Sequence, residues 1–342
     1  MIQQNDFPFE IHDVEATVGD ELKKYYQIFP NGFVRVGPKG YLIPQRFKKE
    51  SSMLYNMEVR PSDIFVVTYP RSGTTWTQEL VWLVANDLDY ARAKTVKLNE
   101  RFPNLESSLW VDVKFFTKLI NETEDEDKKQ ELRSGMNELS CYKLITAASP
   151  RYIKSHLPIS LLPPATLDIA KVIYVARDPR DVAVSFFYLL RSLGWIPASD
   201  DFKTFWKYFI NGLSLWAPYF HHVKEAWEKR NHPNMMFLFY EELSKDLASV
   251  VKRVADFLGK SLNEEQITEL CQHLSFDNFK KNDSVNADYL KRSFPITENI
   301  AFIRSGKPGG WRSHFDEEMT REAEEWMSEN MRDTDLRFSR ID

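Results

Sequence analysis

The feature that most constrains this chain is the stretch Thr68–Trp76, which reads TYPRSGTTW and directly follows the apolar run Ile64–Val67. A run of that length, rich in β-branched and aromatic residues, is typical of a buried strand. Pro70 and Gly73 predict a tight turn after it, and a helical pattern begins at Thr74. A strand, a turn and a helix N-terminus in succession gather backbone N–H groups and the positive end of a helix dipole at one place. The sequence therefore predicts an anion site at this turn.

The side chains of the turn favour a phosphate-like ligand. Arg71 adds a fixed cation, and hydroxyl donors come from Ser72, Thr74 and Thr75. A Walker A loop has a Lys directly after its last glycine, followed by a Ser or Thr that holds Mg²⁺. Here Gly73 is followed by Thr74, so the loop is not a Walker A element. If this loop is considered alone, the alternative to an anion site is an ordinary strand–helix turn with a capping serine.

Composition and charge narrow the class of protein. The chain has 342 residues, of which 43% are hydrophobic and 28% charged, as in globular proteins. Its net charge of −5 gives no general attraction for nucleic acid or anionic lipid. Cys141 and Cys271 are the only cysteines, which is typical of a reducing compartment. The first residues lack the pattern of a secretory signal, and no run approaches the roughly 18 apolar residues of a membrane span. We therefore expect a cytosolic protein with no membrane span and no nucleic-acid partner.

Two further strand-to-helix transitions follow the first. Lys171–Ala176 is a strong strand pattern that ends at Arg177, and Met235–Tyr240 is another that leads into a helical stretch. Strands that alternate with helices form parallel βαβ units, whose sheet is covered by helices on both faces. The predicted fold class is therefore α/β, with a central parallel sheet flanked by helices. Ligands in such folds bind beyond the carboxyl ends of the strands, where Arg71, Arg177 and Tyr240 fall.

Other segments carry expectations about organisation. A single domain is expected over residues 1–342, because no linker or repeat is visible, with residues 1–35 at its periphery. Residues 204–230 show one continuous helical pattern with a buried aromatic stripe. The acidic stretch 122–131 predicts a solvated part of an insertion at about 120–145, which is either a loop or a lid.

A second anion site is indicated further along the chain. In Arg177–Ser185, a guanidinium at a strand end and a hydroxyl two helical turns later suit a terminal phosphate, since arginine binds phosphate with two hydrogen bonds. In the glycine-rich loop Phe302–Trp311, backbone N–H groups around Gly306 would hold an anion beside Arg304. The aromatic rings available to enclose a base are those of Trp76, Tyr240 and Phe276. Two anion sites with rings between them indicate a nucleotide that is phosphorylated at both ends.

A short strand pattern, Arg151–Pro158, brings two further groups to one place. Lys154 and His156 lie two residues apart in it, and residues with that spacing share a face of a strand. We therefore expect the ammonium and the imidazole to enter the same site.

Five motifs, in this order, resemble the cytosolic sulfotransferase family: TYPRSGTTW, KSHLP, ARDPRDVAVSFF, FLFYEEL and FIRSGKPGGW. The resemblance covers about residues 35–330, and the presence of all five motifs makes it specific. Members of this family transfer a sulfuryl group from 3′-phosphoadenosine 5′-phosphosulfate (PAPS) to a hydroxyl or an amine. The resemblance implies one α/β domain related to nucleotide kinases and a small-molecule hydroxyl acceptor. It also implies PAPS as co-substrate, 3′-phosphoadenosine 5′-phosphate (PAP) as product, and no metal.

The resemblance also assigns roles to residues of this sequence. The 5′-phosphosulfate would be held by Arg71, Ser72, Gly73, Thr74, Thr75 and Trp76. The 3′-phosphate would be held by Arg177, Ser185, Arg304, Ser305 and Gly306, and the adenine by Trp76, Tyr240, Ser275 and Phe276. His156 would be the general base, because imidazole has a pKa near about 6.5 and accepts protons at neutral pH. Lys154 would stabilise charge on the transferring group, and the pair His221–His222 is expected to be solvated.

Departures from the family pattern bear on function. Arg71 stands where the family usually has Lys, and guanidinium neutralises charge but is a poor proton donor. Some insect members of the retinol dehydratase type share this Arg, and the sequence resembles that type. Ser305 replaces a Lys of the 3′-phosphate site. The C-terminal dimerisation pattern of the family is degraded in residues 312–321, so the usual homodimer is not assumed.

The sequence leaves alternatives to the predicted function, which is sulfation of a small, largely apolar alcohol or phenol. A P-loop kinase that uses ATP and Mg²⁺ is disfavoured because the Walker Lys is missing. A binding protein without activity is disfavoured because Lys154 and His156 are retained. A dehydratase that transiently sulfates an allylic alcohol such as retinol, and so creates a leaving group, is compatible with the sequence.

Overall fold

The computed structural model describes residues 7–110, 113–137, 140–285 and 306–338. Part of the predicted 3′-phosphate loop, with Arg304 and Ser305, lies outside these described residues. No helix within these ranges is long and apolar enough to cross a membrane.

The centre of the fold is a parallel sheet of four strands. The strands of the described residues are β1 (Ile11–Asp13), β2 (Phe33–Val36), β3 (Tyr41–Pro44), β4 (Ile64–Thr68), β5 (Tyr152–Ser155), β6 (Lys171–Ala176) and β7 (Met235–Phe239). The spatial order of the central sheet is β5-β4-β6-β7, and all three pairings are parallel. After its first residue each of β4 and β6 is buried, which is why both read as continuous apolar runs. The predicted α/β fold with a central parallel sheet is confirmed.

Helices cover this sheet and follow its strands. They are α1 (Ala16–Tyr25), α2 (Phe47–Tyr55), α3 (Thr74–Ala85), α4 (Tyr90–Thr95), α5 (Leu98–Arg101), α6 (Val113–Glu122), α7 (Glu126–Asn137), α8 (Ser140–Thr146), α9 (Thr166–Ile169), α10 (Pro179–Ser192), α11 (Phe202–Ile210), α12 (Tyr219–Glu228), α13 (Tyr240–Lys245), α14 (Leu247–Phe257), α15 (Glu264–His273), α16 (Phe276–Lys281) and α17 (Glu317–Asn330). The start of α10 shows why the chain turns at a strand end: the Asp178 carboxylate accepts from the N–H of Arg180, and Pro179 fits the first helical turn.

The prediction of one continuous helix over residues 204–230 is wrong. Helix α11 ends at Ile210 and α12 starts at Tyr219. Between them Gly212 adopts a φ of 69°, and Pro218 has no N–H with which to continue a helix. The aromatic stripe is nevertheless buried, because the residues of the break fold back into the core.

The acidic stretch of the insertion is mostly exposed to solvent, as predicted, but the prediction of a loop is wrong. Helices α6, α7 and α8 occupy most of residues 113–146. The acidic residues Glu126 and Asp127 lie in the first turn of α7, where they complement the helix dipole. The side chains of Ile120 and Leu132 are buried in the main core. The insertion is therefore a packed helical segment.

The N-terminal segment predicted to be peripheral contributes to the core. Strands β1, β2 and β3 form an antiparallel sheet in that order. Leu22, Tyr26 and Phe29 are fully buried in the same core as the central sheet. Short strands of three or four residues give too little alternation to be recognised in the sequence, so this sheet was missed.

Candidate active site

The turn after β4 forms a cradle suited to an anion. Gly73 has a φ of 100°, which favours glycine, and directly precedes α3. Ser72 is fully buried, and its Oγ has no hydrogen-bond partner among the described residues. Buried hydroxyls are almost always hydrogen-bonded, so this atom suits a ligand oxygen. The Thr74 hydroxyl instead lies 2.7 Å from that of Thr68, and Thr75 follows in the first turn of α3.

A tyrosine ring packs directly on this turn. Tyr240 begins α13 at the end of β7, and a Cβ atom added at Gly73 would lie 2.6 Å from its Cδ2. That is well inside the usual carbon–carbon contact distance of about 3.5–4.0 Å. The ring of Trp76 lies 5.7 Å from that of Tyr240, and its Nε1 donates to the Leu274 carbonyl oxygen at 2.9 Å. Only glycine at position 73 lets the turn and the two rings approach in this way.

Two arginines join the turn to the predicted 3′-phosphate site. Nε of Arg71 donates to Oγ of Ser185 at 3.0 Å, and Nη1 of Arg177 donates to the Arg71 carbonyl oxygen at 3.2 Å. The Arg177 guanidinium lies 4.1 Å from the centre of the Tyr240 ring, whose hydroxyl donates to the Gly306 carbonyl oxygen at 2.7 Å. Nε of Arg177 is buried and has no hydrogen-bond partner within the described ranges, as expected where a ligand supplies the acceptor. The structure thus places Arg71 beside Ser185, although the sequence assigned them to opposite ends of the nucleotide.

The predicted adenine residues also meet here. Ser275 precedes α16 and Phe276 is its first residue, with 36% of its surface exposed. A Cβ atom at Gly306 would collide with the Phe276 ring, so that ring lies against the glycine. Residues from the ends of β4, β6 and β7 and from two later segments therefore converge on one site.

The predicted base is held in one tautomer. His156 is buried directly after β5, and its Nδ1 lies 2.9 Å from the Thr68 carbonyl oxygen. A carbonyl oxygen only accepts, so Nδ1 carries the proton and Nε2 holds a lone pair. Burial, and then the charge of Lys154, lower the pKa of His156 well below its usual value. The ring is therefore neutral at neutral pH, and Nε2 can accept a proton.

Charged groups surround this base. Burial lowers the pKa of Lys154, the Arg71 guanidinium lowers it further, and the Glu106 carboxylate opposes both. Burial also raises the pKa of Glu106, against hydrogen bonds from the His156 N–H and the Ser155 hydroxyl. In the part of the chain that the structure describes, no group of three or more His, Cys, Asp or Glu side chains could hold a metal ion. Among the described residues, arginine and lysine side chains supply the positive charge at the site.

Tryptophan rings line the neighbourhood of the imidazole. The ring centres of Trp110 and Trp216 lie 6.3 and 6.5 Å from that of His156. Trp195 stacks obliquely on Trp110, with their ring centres 5.1 Å apart. The space next to the base is therefore bordered by apolar, aromatic surface.

The prediction that His222 is solvated is wrong, because this side chain is fully buried. It lies on α12 among the buried residues Tyr219, Val223 and Ala226, whose spacing of three and four marks the inner face of a helix. That spacing is visible in the sequence and could have predicted that His222 is buried. Glu106 was not among the predicted site residues, because no local pattern in the sequence distinguishes it from a surface carboxylate.

A family model described as "Sulfotransferase domain" matches residues 61–335, which contain all four strands of the central sheet. The chain therefore belongs to the sulfotransferase family, and the predicted enzyme class, a PAPS-dependent sulfotransferase, is confirmed.

Comparison with individual relatives shows which members of the family this chain resembles. Luciferin sulfotransferase of Photinus pyralis is 36% identical over 89% of this chain and 80% of that protein. A crystal structure of retinol dehydratase with androsterone and the inactive cofactor PAP is 42% identical, with a TM-score of 0.93 over 98% of this chain and 99% of that one. Retinol dehydratase in a complex with retinol and PAP is 44% identical, with a TM-score of 0.90 over 97% and 99%. The predicted resemblance to the retinol dehydratase type is confirmed.

Proposed function

We propose that this protein transfers the sulfuryl group of PAPS to the hydroxyl of a small, largely apolar alcohol or phenol, with His156 as the general base. The observation that carries the proposal is the hydrogen bond from Nδ1 of His156 to the Thr68 carbonyl oxygen. It leaves Nε2 as a proton acceptor at a strand end, in the electrostatic field of Lys154 and Arg71. A protein that only binds its ligand has no need of such a base.

The nucleotide fits the polar atoms that the site leaves without partners. The 5′ end of PAPS would meet the turn Ser72–Trp76, where the Ser72 hydroxyl has no hydrogen-bond partner among the described residues. The 3′-phosphate would meet Arg177 and Ser185. The adenine would lie among the rings of Trp76, Tyr240 and Phe276. Both ends of the nucleotide thus find donors, as a doubly phosphorylated ligand requires.

The chemistry needs a base and fixed cations. His156 takes the proton of the acceptor hydroxyl while the acceptor oxygen bonds to sulfur. The bond between sulfur and the 5′-phosphate oxygen breaks, and PAP leaves with the electron pair. Arg71 and Lys154 stabilise the charge that develops, which is the main protein contribution in phosphoryl-like transfer. Arg71 acts through hydrogen bonding and charge, because guanidinium keeps its proton.

The acceptor is expected to be apolar because of what borders the base. Trp110 and Trp216 lie beside the imidazole, and Trp195 extends the aromatic surface. The helical insertion α6–α8 begins at Val113, three residues after Trp110. We therefore propose that the insertion covers the acceptor site, as a lid rather than a loop.

Dehydration of an allylic alcohol is the second candidate. The high similarity to retinol dehydratase favours it. In that reaction the sulfate ester formed first would lose sulfate as its C–O bond breaks, and a proton would leave the carbon chain. The product is a hydrocarbon with one additional double bond.

The proposal is tested by following label from sulfate-labelled PAPS into a panel of phenols, steroids and retinoids. We expect label in a hydroxyl acceptor, or released as free sulfate together with a dehydrated alcohol if the second candidate is right. Phosphate-labelled ATP with Mg²⁺ is the control and should transfer no label. Absence of label from every acceptor and from free sulfate, or transfer from ATP, would contradict the proposal.

A cytosolic location stays a prediction, and the usual family homodimer is neither assumed nor excluded. Cell fractionation and sedimentation of the purified protein test them.

A further inference from the structure

Both backbone polar groups of His156 are held by buried side chains. The N–H donates to Oε1 of Glu106 at 2.7 Å, and the carbonyl oxygen accepts from Nε2 of His222 at 3.0 Å. Because His156 lies just beyond β5, the sheet ladder does not fix its peptide groups. Two side chains that are fully buried take over that task.

The Glu106 carboxylate is bound on both oxygens. Its Oε2 accepts from the Ser155 hydroxyl at 2.8 Å, and Ser155 Oγ in turn accepts from the N–H of Leu157 at 3.0 Å. The backbone around Glu106 is anchored to the same strand, since the N–H of Leu105 donates to the Lys154 carbonyl oxygen at 2.8 Å. Glu106 therefore binds Ser155 and His156 directly and Leu157 through the Ser155 hydroxyl, three consecutive residues with the base in the middle.

The ring of His222 is itself held by a second hydrogen bond, at the nitrogen that does not contact His156. Its Nδ1 lies 2.7 Å from the hydroxyl of Tyr174. Burial lowers the pKa of His222 to about 4, so the ring is neutral. A neutral ring that donates from Nε2 to a carbonyl must accept at Nδ1, so Tyr174 is the donor. This chain of hydrogen bonds, from β6 through α12, ends on the peptide carbonyl of His156.

We propose that Glu106 and His222 are positioning residues, which set the backbone of His156 so that its ring keeps the Nδ1–H bond to Thr68 and presents Nε2 to the acceptor. This rests on the proposed role of His156 as base. Both side chains contact the backbone of His156 and act on the reaction only through it. A misplacement of about 1 Å at a reacting group lowers rates by about 100-fold, so loss of either anchor should lower kcat.

Two conservative variants separate geometry from charge at Glu106. Glu106→Gln keeps the length of the side chain and an acceptor for the His156 N–H, but removes the negative charge beside Lys154. Glu106→Asp keeps the charge but is one carbon–carbon bond, about 1.5 Å, too short. Loss of the carboxylate also lowers the pKa of Lys154, so kcat is compared on the plateau of each variant's pH profile. There we expect Glu106→Asp to lose about 10–100-fold in kcat and Glu106→Gln to lose less than about 5-fold, with the Kd of PAP unchanged in both. An Asp variant as active as the wild type, or more active than the Gln variant, would overturn the inference.

A neighbouring pair of histidines provides the matched control for His222. His222→Gln keeps a donor for the His156 carbonyl oxygen, whereas His222→Leu removes it. We expect His222→Leu to lose about 10-fold or more in kcat and His222→Gln to recover most of it, while His221→Leu, one residue away, leaves kcat unchanged. Equal rates for the Leu and Gln variants of His222 would contradict a positioning role.

A measurement without turnover distinguishes this inference from the proposed function. NMR of the protein with isotope-labelled histidine should show the His156 proton on Nδ1 in the wild type and in Glu106→Gln. The Glu106→Asp variant should show a mixture of tautomers. If the wild type transfers no sulfate but the tautomer responds in this way, the function fails and the positioning role stands. An unchanged tautomer in Glu106→Asp refutes the positioning role whatever the activity.

Discussion

The close contact between Gly73 and the Tyr240 ring allows the effect of the substitution Gly73→Ala to be worked out from the structure. In Gly73→Ala the new Cβ would lie 2.6 Å from Cδ2 of the ring, at a φ of 100°. The backbone strain of a left-handed residue is about 1–2 kcal/mol. The ring must also retreat by about 1 Å to reach an ordinary contact distance. It cannot do so freely, because its hydroxyl is bound to Gly306 and its face to Arg177.

Displacing the ring weakens both of these contacts. A neutral hydrogen bond contributes about 0.5–1.5 kcal/mol and a cation–π contact at least about 0.5–1 kcal/mol. Together they amount to about 1–2.5 kcal/mol. The ring is one of those proposed to enclose the adenine, so we expect PAP binding to require it in its wild-type position and to be opposed by a free energy of this size. Because about 1.4 kcal/mol corresponds to a tenfold change in affinity, the Kd of PAP should rise by about 5- to 60-fold. Calorimetric titration with PAP measures it directly.

Gly259→Ala is the matched control for Gly73→Ala. Gly259 follows α14, has a φ of 70°, and a Cβ there would meet no atom of the described residues within 4 Å. It carries the same kind of backbone strain without a clash, so the free energy of unfolding should fall by about 1–2 kcal/mol while the Kd of PAP stays unchanged. Wild-type affinity in Gly73→Ala, or an equal loss of affinity in Gly259→Ala, would refute the reasoning.

Three further predictions concern the nucleotide, the pH profile and the insertion. Arg177→Ala should weaken the binding of PAP by about 1.5–3 kcal/mol, the value of a charge-assisted hydrogen bond, and leave the binding of the 3′-dephospho analogue nearly unaffected. Equal losses of affinity for both ligands in calorimetry would contradict a 3′-phosphate role. The rate constant kcat/KM for PAPS, which reports the free enzyme, should fall as pH rises through about 8, because the pKa of Lys154 is lowered to about 8 and the ammonium then loses its proton. Lys154→Arg should remove that alkaline limb, and a limb that persists would point to another group. Replacing Glu126–Asn137 by a short Gly/Ser linker should change KM for acceptors but alter PAP binding by less than about 1 kcal/mol, as for independent sites; unchanged acceptor kinetics would refute the lid.

The sequence predicted the elements that chain-local patterns determine. Strands β4 and β6 were recognised because buried parallel strands read as continuous apolar runs, and the partly buried edge strand β7 was recognised because its residues are equally apolar. The turn at Gly73 was predicted because glycine marks a tight turn and the neighbouring hydroxyl residues indicate an anion site. The break between α11 and α12 was missed because apolar spacing continues across it, although Gly212 and Pro218 marked it.

The remaining features depend on contacts between distant segments. Glu106 looks like a surface residue in the sequence, and only the pairing of its segment with β5 buries it. The bond between Arg71 and Ser185 joins residues 114 positions apart, so no local pattern could place them together. Acidic residues at the start of α7 read as a loop because the sequence does not show which partner buries Leu132.

The central claim is that His156 removes the acceptor proton at a site that binds the nucleotide independently. The most direct measurement compares His156→Ala with the wild type in single-turnover transfer from sulfate-labelled PAPS, alongside calorimetric titration with PAP. A general base contributes about 10²- to 10⁴-fold, so transfer should fall by that factor while the Kd of PAP stays within about twofold. A variant that retains more than about a tenth of the wild-type rate, with normal PAP binding, would contradict the claim.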